Sequence, residues 1–82
     1  MSKASKLKQA IEDSEREIEA LEQKRERSQI AVMRALMAGE KPSPEDAQYF
    51  DTFSALIDRE RENLRQLYVQ LGELKNKNKK KK

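Results

Sequence analysis

The sequence predicts an all-α fold: a two-helix antiparallel coiled-coil hairpin, with dimerisation into a four-helix bundle as its natural extension. Three observations predict it. Charged residues make up 40% of the 82 residues and aromatics 5%, in the Ala, Glu, Lys, Leu and Arg mixture of long helices. Apolar residues recur at alternating steps of four and three along two stretches, the 3.5-residue period of a coiled-coil seam. Between those stretches lies one interruption, GEKPSP, holding Gly39, Pro42 and Pro44.

The first helix is expected over about residues 3–38. Its seam reads Leu7, Ile11, Ser14, Ile18, Leu21, Arg25, Ser28, Val32 and Ala35, apolar at both ends and polar in the middle. Gly39 suits a helix C-terminus, and the prolines forbid one continuous helix. The turn is thus placed at 39–43. Ser43 is an N-cap, Pro44 fits the first helical position, and Glu45 and Asp46 put carboxylates in the first turn. Ser43 and Asp46 have the spacing of a capping box.

The second helix is expected over about 44–76. Its seam is Phe50, Phe53, Ile57, Glu60, Leu64, Leu67, Leu71 and Leu74, with Glu60 the one exception. Gly72 lies off the seam and marks a place where the last turn frays. Residues 77–82 are expected to form a disordered, lysine-rich tail. The net charge is +3, but KNKNKKKK at 75–82 holds six lysines and no acid. Without those six, residues 1–74 carry −3.

A short turn packs the helices antiparallel. Opposed residue numbers then sum to 78, 85 or 92, and a turn centred near residue 42 selects 85. The expected layers are Ala35/Phe50, Val32/Phe53, Ser28/Ile57, Arg25/Glu60, Leu21/Leu64, Ile18/Leu67, Ser14/Leu71 and Ile11/Leu74. This register opposes Arg25 to Glu60, a polar pair of the kind that sets register at some cost in stability.

Several apolar residues are left over. Ile30, Met33 and Met37 form a second stripe behind the first seam. Leu36, Tyr49 and Leu56 flank the seam, and Tyr68 and Val69 lie off it. Single apolar surface residues are normal, but a contiguous patch marks an interface, and Met adapts well to binding. Ile30, Met33 and Met37, with Tyr49 and Leu56 nearby, are the expected partner face.

No catalytic, cofactor-binding or metal-binding residue is expected. The chain has no His and no Cys, so the commonest general base and the thiolate metal ligands are missing. The acids of EDSERE, EQKRER and DREREN are interleaved with Lys and Arg, as on solvated helix faces; Glu12 with Arg16 and Glu62 with Arg65 have pairing distance. No phosphate-cradling Gly loop is present. In a hairpin, Lys3, Lys6 and Lys8 join the tail lysines at one end, where they would attract phosphates or an acidic membrane surface. That cluster lacks the Arg and aromatic residues of base-specific readout. MSKASKLKQ has no apolar segment of a cleaved signal, and no run approaches the roughly 20 apolar residues of a membrane span. The expected location is the cytoplasm.

RALMAGEKPSPEDAQYF, followed by the second leucine seam, resembles the YscE-like small co-chaperones of bacterial type III secretion. The resemblance covers roughly residues 28–75. It rests on a Gly and Pro/Asp turn ahead of a Gln-Tyr pair, here Gln48 and Tyr49. It implies a short helical hairpin in the bacterial cytoplasm. Such a hairpin binds a helical-repeat chaperone, and the two hold an aggregation-prone needle subunit before export. The first helix here is longer and more charged than in that pattern, and the lysine tail is additional. Beside this reading stand a self-assembling homodimer and, third, a nucleic-acid-associated protein acting through its lysines.

Overall fold

A computed structural model describes residues 2–80, with side chains for 2–77. It contains two α-helices, α1 (Lys3–Met37) and α2 (Pro44–Lys80). They pack against each other as a rod of 63 × 21 × 14 Å.

Each helix end has a chemical cause. At the start of α1, the Ser2 hydroxyl accepts the Ser5 backbone N–H at 3.1 Å, satisfying one of the orphan donors of a first turn. At its end, Gly39 adopts φ 72°, a region open to glycine at no steric cost. The Glu40 N–H donates to the Ala35 carbonyl at 2.8 Å and the Gly39 N–H to Leu36 at 3.1 Å. These are the two bonds of a Schellman motif. Ser43 caps α2, its hydroxyl accepting from the Asp46 N–H at 3.1 Å and donating to the Asp46 carboxylate at 2.9 Å.

α2 continues to Lys80, past the end near residue 76 expected from sequence. Residues 77–80 are therefore helical where a disordered tail was expected; 81–82 lie outside the described residues. Lysine is a good helix former, and cations at a helix C-terminus complement its dipole. Nor does Gly72 end the helix.

Both seams face inward as the 3.5-residue pattern requires. Every seam position on α1 and α2 is buried or half-buried. Ile11, Leu21, Ile57 and Leu71 form the closed core, with Ser14 and Ser28 buried among them.

The axial register differs from the expected one. The Ser14 hydroxyl donates to the Glu60 carboxylate at 2.7 Å. With opposed numbers summing to 85, these residues would sit eleven positions out of level, about 16 Å along the axis, beyond the reach of Ser and Glu. Arg25 donates to the Ser54 hydroxyl at 3.0 Å, and its guanidinium carbon lies 5.4 Å from the Phe50 ring centre. Glu22 pairs with Arg61 at 2.9 Å, and the Tyr68 hydroxyl donates to Glu15 at 3.3 Å. The paired numbers in these contacts sum to between 74 and 83, and 78 is the one seam register in that range.

The layers become Ser28/Phe50, Arg25/Phe53, Leu21/Ile57, Ile18/Glu60, Ser14/Leu64, Ile11/Leu67 and Leu7/Leu71. Ile57, the one large side chain fully shut from water among the described residues, now faces buried Leu21. The expected Arg25/Glu60 opposition is corrected: the two lie one heptad out of level. The cause is the turn. The chain reverses about Gly39, where the Schellman motif turns it, rather than about residue 42.

Glu60 sits at the rim of the seam, accepting from Ser14 and from the Asn63 side-chain amide at 2.8 Å. The Ser14 hydrogen bond, then that of Asn63, holds its carboxyl below the ordinary value of 4.5, against a smaller opposing effect of burial. A depressed carboxylate stabilises the fold above its unfolded pKa, and that contribution is lost as pH falls through the folded value. In acid titrations followed by circular dichroism, Glu60→Gln should flatten the loss of stability between about pH 5 and 3. A Ser14→Ala/Glu60→Gln double-mutant cycle near neutral pH should show coupling of about 1 kcal/mol. A wild-type acid profile in Glu60→Gln would contradict the assignment.

A Cβ built on Gly72 meets nothing within 4 Å. Gly72→Ala should therefore stabilise the chain by about 0.5–1 kcal/mol, read as a higher urea midpoint at unchanged slope.

Candidate interaction surface

Heptad positions place each leftover apolar residue around the hairpin. With Ser28 and Ala35 at d, Ile30 and Met37 fall at f, Met33 at b and Leu36 at e. Side chains three, four and seven apart share one helix face, so these four make one stripe on the outer side of α1, against the turn. Their exposures are 45% for Ile30, 52% for Met33, 62% for Leu36 and 85% for Met37. A solvated helix normally keeps such a face polar. α1 does so over its first two-thirds, where Glu12, Asp13, Arg16 and Glu19 are exposed.

Tyr49 and Leu56 are also exposed, but on a different surface. With Phe50 and Ile57 at a, both fall at g of α2. In an antiparallel pair the g positions of both helices share one side and the e positions the other. Tyr49 accordingly shares a groove of about 440 Å³ with Lys24, Arg27, Ser28, Glu45 and Asp46. Its ring centre lies 4.6 Å from that of Phe53, tilted by 34°, and Leu56 follows Tyr49 about two turns on. The five residues expected as one partner face are thus two surfaces. Ile30, Met33 and Met37 form the first, together with Leu36, and Tyr49 and Leu56 form the second. Leu36 was read as flanking the seam; its spacing of three from Met33 already placed it beside the stripe.

The e side carries a polar ladder between the helices, Tyr68 to Glu15, Arg61 to Glu22 and Ser54 to Arg25. None of these pairs was foreseen from sequence, because they follow from the register of 78. Glu15, through its charge, raises the Tyr68 hydroxyl above its usual pKa of 10.0. Within α2, Arg65 donates to both carboxylate oxygens of Glu62, from Nε at 3.1 and 3.2 Å and from a terminal nitrogen at 2.8 Å. Those bonds pull the Glu62 carboxyl down to about 2. Both groups stand in solvent, and such pairs add little stability.

At the open end, Lys3, Lys6 and Lys77 rim a second groove of about 440 Å³, floored by Leu7 and Leu74. Arg25 is the seam member that is only partly satisfied. Its Nε is buried and has no partner, while its terminal nitrogen reaches Ser54. Among the described residues no group of three or more acids gathers as a metal site, and no helix is long and apolar enough to cross a membrane. Compared with known proteins, the chain matches no family model, no curated protein and no solved structure.

Because Met33 contributes to the stripe and not to the seam, Met33→Glu should leave helicity unchanged and stability within about 0.5 kcal/mol. Ile57→Ala, which empties the closed layer, should cost about 2–5 kcal/mol. Comparable losses in both variants would show that the stripe packs against the hairpin.

Proposed function

We propose that this chain is a non-enzymatic protein-interaction module and that the stripe Ile30–Met33–Leu36–Met37 is its working surface. One observation carries the reading: four neighbouring apolar side chains stand in water on a helix that is otherwise charged. Leaving that area exposed costs roughly 25 cal/mol for each Å² a partner would cover, and anchors at this spacing suit docking of a helix into an apolar groove. Tyr49 and Leu56 offer a second, smaller contact on the other side. In line with the resemblance to YscE-like co-chaperones, the partner is a helical-repeat chaperone in the bacterial cytoplasm. The hairpin and chaperone together hold a needle or other export subunit.

A second reading, self-assembly into a homodimeric four-helix bundle, is favoured by the thinness of the seam. Four buried hydrophobic residues among the described ones are few for a hairpin of this length, and small scaffolds commonly gain stability by oligomerising.

The two readings separate by experiment. Sedimentation at high micromolar concentration should give a monomer under the first and a dimer under the second. Affinity purification of the tagged chain from its own cells should recover a helical-repeat protein, and Met33→Glu should lose it at unchanged helicity. Capture that survives Met33→Glu and Met37→Glu together would remove the stripe from the function.

A further inference from the structure

We propose that the hairpin has two registers one heptad apart and passes between them by sliding α2 about 10 Å along α1 (seven residues at about 1.5 Å each). The seam presents the same faces in both, because a shift of seven residues returns each a and d position to the partner helix. What changes is which side chains meet.

In the observed register Ile18 meets Glu60, Arg25 meets Phe53, Ser14 meets Leu64 and Ser28 meets Phe50. With half-buried Ala4, one heptad before Ile11, opposite Leu74, four of the eight layers are apolar on both sides. After the slide, five of eight are: Ala35/Phe50, Val32/Phe53, Leu21/Leu64, Ile18/Leu67 and Ile11/Leu74. Arg25 then meets Glu60, and its orphaned Nε gains a carboxylate within reach. Against this stand the contacts given up. They are the Ser14–Glu60 bond, the Arg25–Ser54 bond with its stacking on Phe50, and the Glu22–Arg61 and Glu15–Tyr68 pairs. Several of these are surface contacts of small worth. Each register thus satisfies what the other leaves unsatisfied.

The connection permits both. In the observed register the start of α2 is level with Arg34, below the end of α1; after the slide it is level with Lys41, above it. Either span, with about 10 Å between axes, is well within the roughly 20 Å that residues 38–43 reach when extended. Neither helix needs to unwind, but the two Schellman bonds that set the reversal at Gly39 are also given up, and Gly39 takes up the new direction. The slide would also lay Phe53 and Phe50 over Val32 and Ala35, beside the exposed stripe. Occupancy of the stripe and register are thereby linked.

The chain has no cysteine, so disulfide trapping reads the register directly. Leu21→Cys with Ile57→Cys reports the observed register, and Leu21→Cys with Leu64→Cys the slid one. Both pairs should close under mild oxidation, each with circular dichroism of a folded helix. Adding Glu60→Leu should slow closure of the second pair by about tenfold, since it removes the Arg25 partner and gives Ile18 an apolar neighbour in the observed register. Spin labels at Gln9→Cys and Ala55→Cys, both exposed, leave the seam untouched. They should give two distances, the longer belonging to the slid register. A single distance, or closure of only one of the two cysteine pairs, would overturn the proposal.

Discussion

The structure depends on one constraint: the two helices bury a strip only one helix face wide, and its most closed layer is Ile57 against Leu21. Among the described residues no sheet or third helix shares the burden, and the chain has no cysteine to form a disulfide. The elongated shape follows, because a 3.5-residue seam grows along the axis and adds no depth. Of the seam's polar residues, Ser14 and Ser28 are buried and Arg25 and Glu60 half-buried, and each finds a hydrogen bond. The Ser28 hydroxyl, for example, donates to the Arg25 carbonyl one turn back at 2.9 Å.

How much was legible in the sequence divides along the same line. The faces were legible, since a period of 3.5 names the inward residues whatever the axial position. The caps were legible because Ser43, Pro44 and Gly39 each have one good use there. Register was not, since a heptad pattern repeats every seven residues and composition gives no origin along the axis. The origin came from the turn, and two hydrogen bonds at Gly39 set it three residues earlier than the prolines suggested. Arg25 opposite Glu60 looked like support for the wrong alignment because the two charged positions do match in it. In the observed register the two lie one heptad out of level.

The candidate surface was legible in part. Exposure of Ile30, Met33 and Met37 follows from their b and f positions. Grouping them with Tyr49 and Leu56 relied on nearness to the turn in sequence, whereas the g positions of α2 lie on another side. Leu36 joins the stripe because its e position turns outward where α1 runs beyond the start of α2. The polar ladder on the e side closes off one flank with Glu15, Glu22 and Arg61. The exposed apolar stripe thus lies on the outer side of α1 near the turn, and the lysine-rich open end is left at the far end of the rod.

The register can be read most directly from nuclear Overhauser contacts of the Ile57 methyl groups in the full chain. Strong contacts to the Leu21 methyls are expected, since those side chains share the closed layer. Contacts to Ser28 with none to Leu21 would place the helices one heptad apart from this description and contradict it.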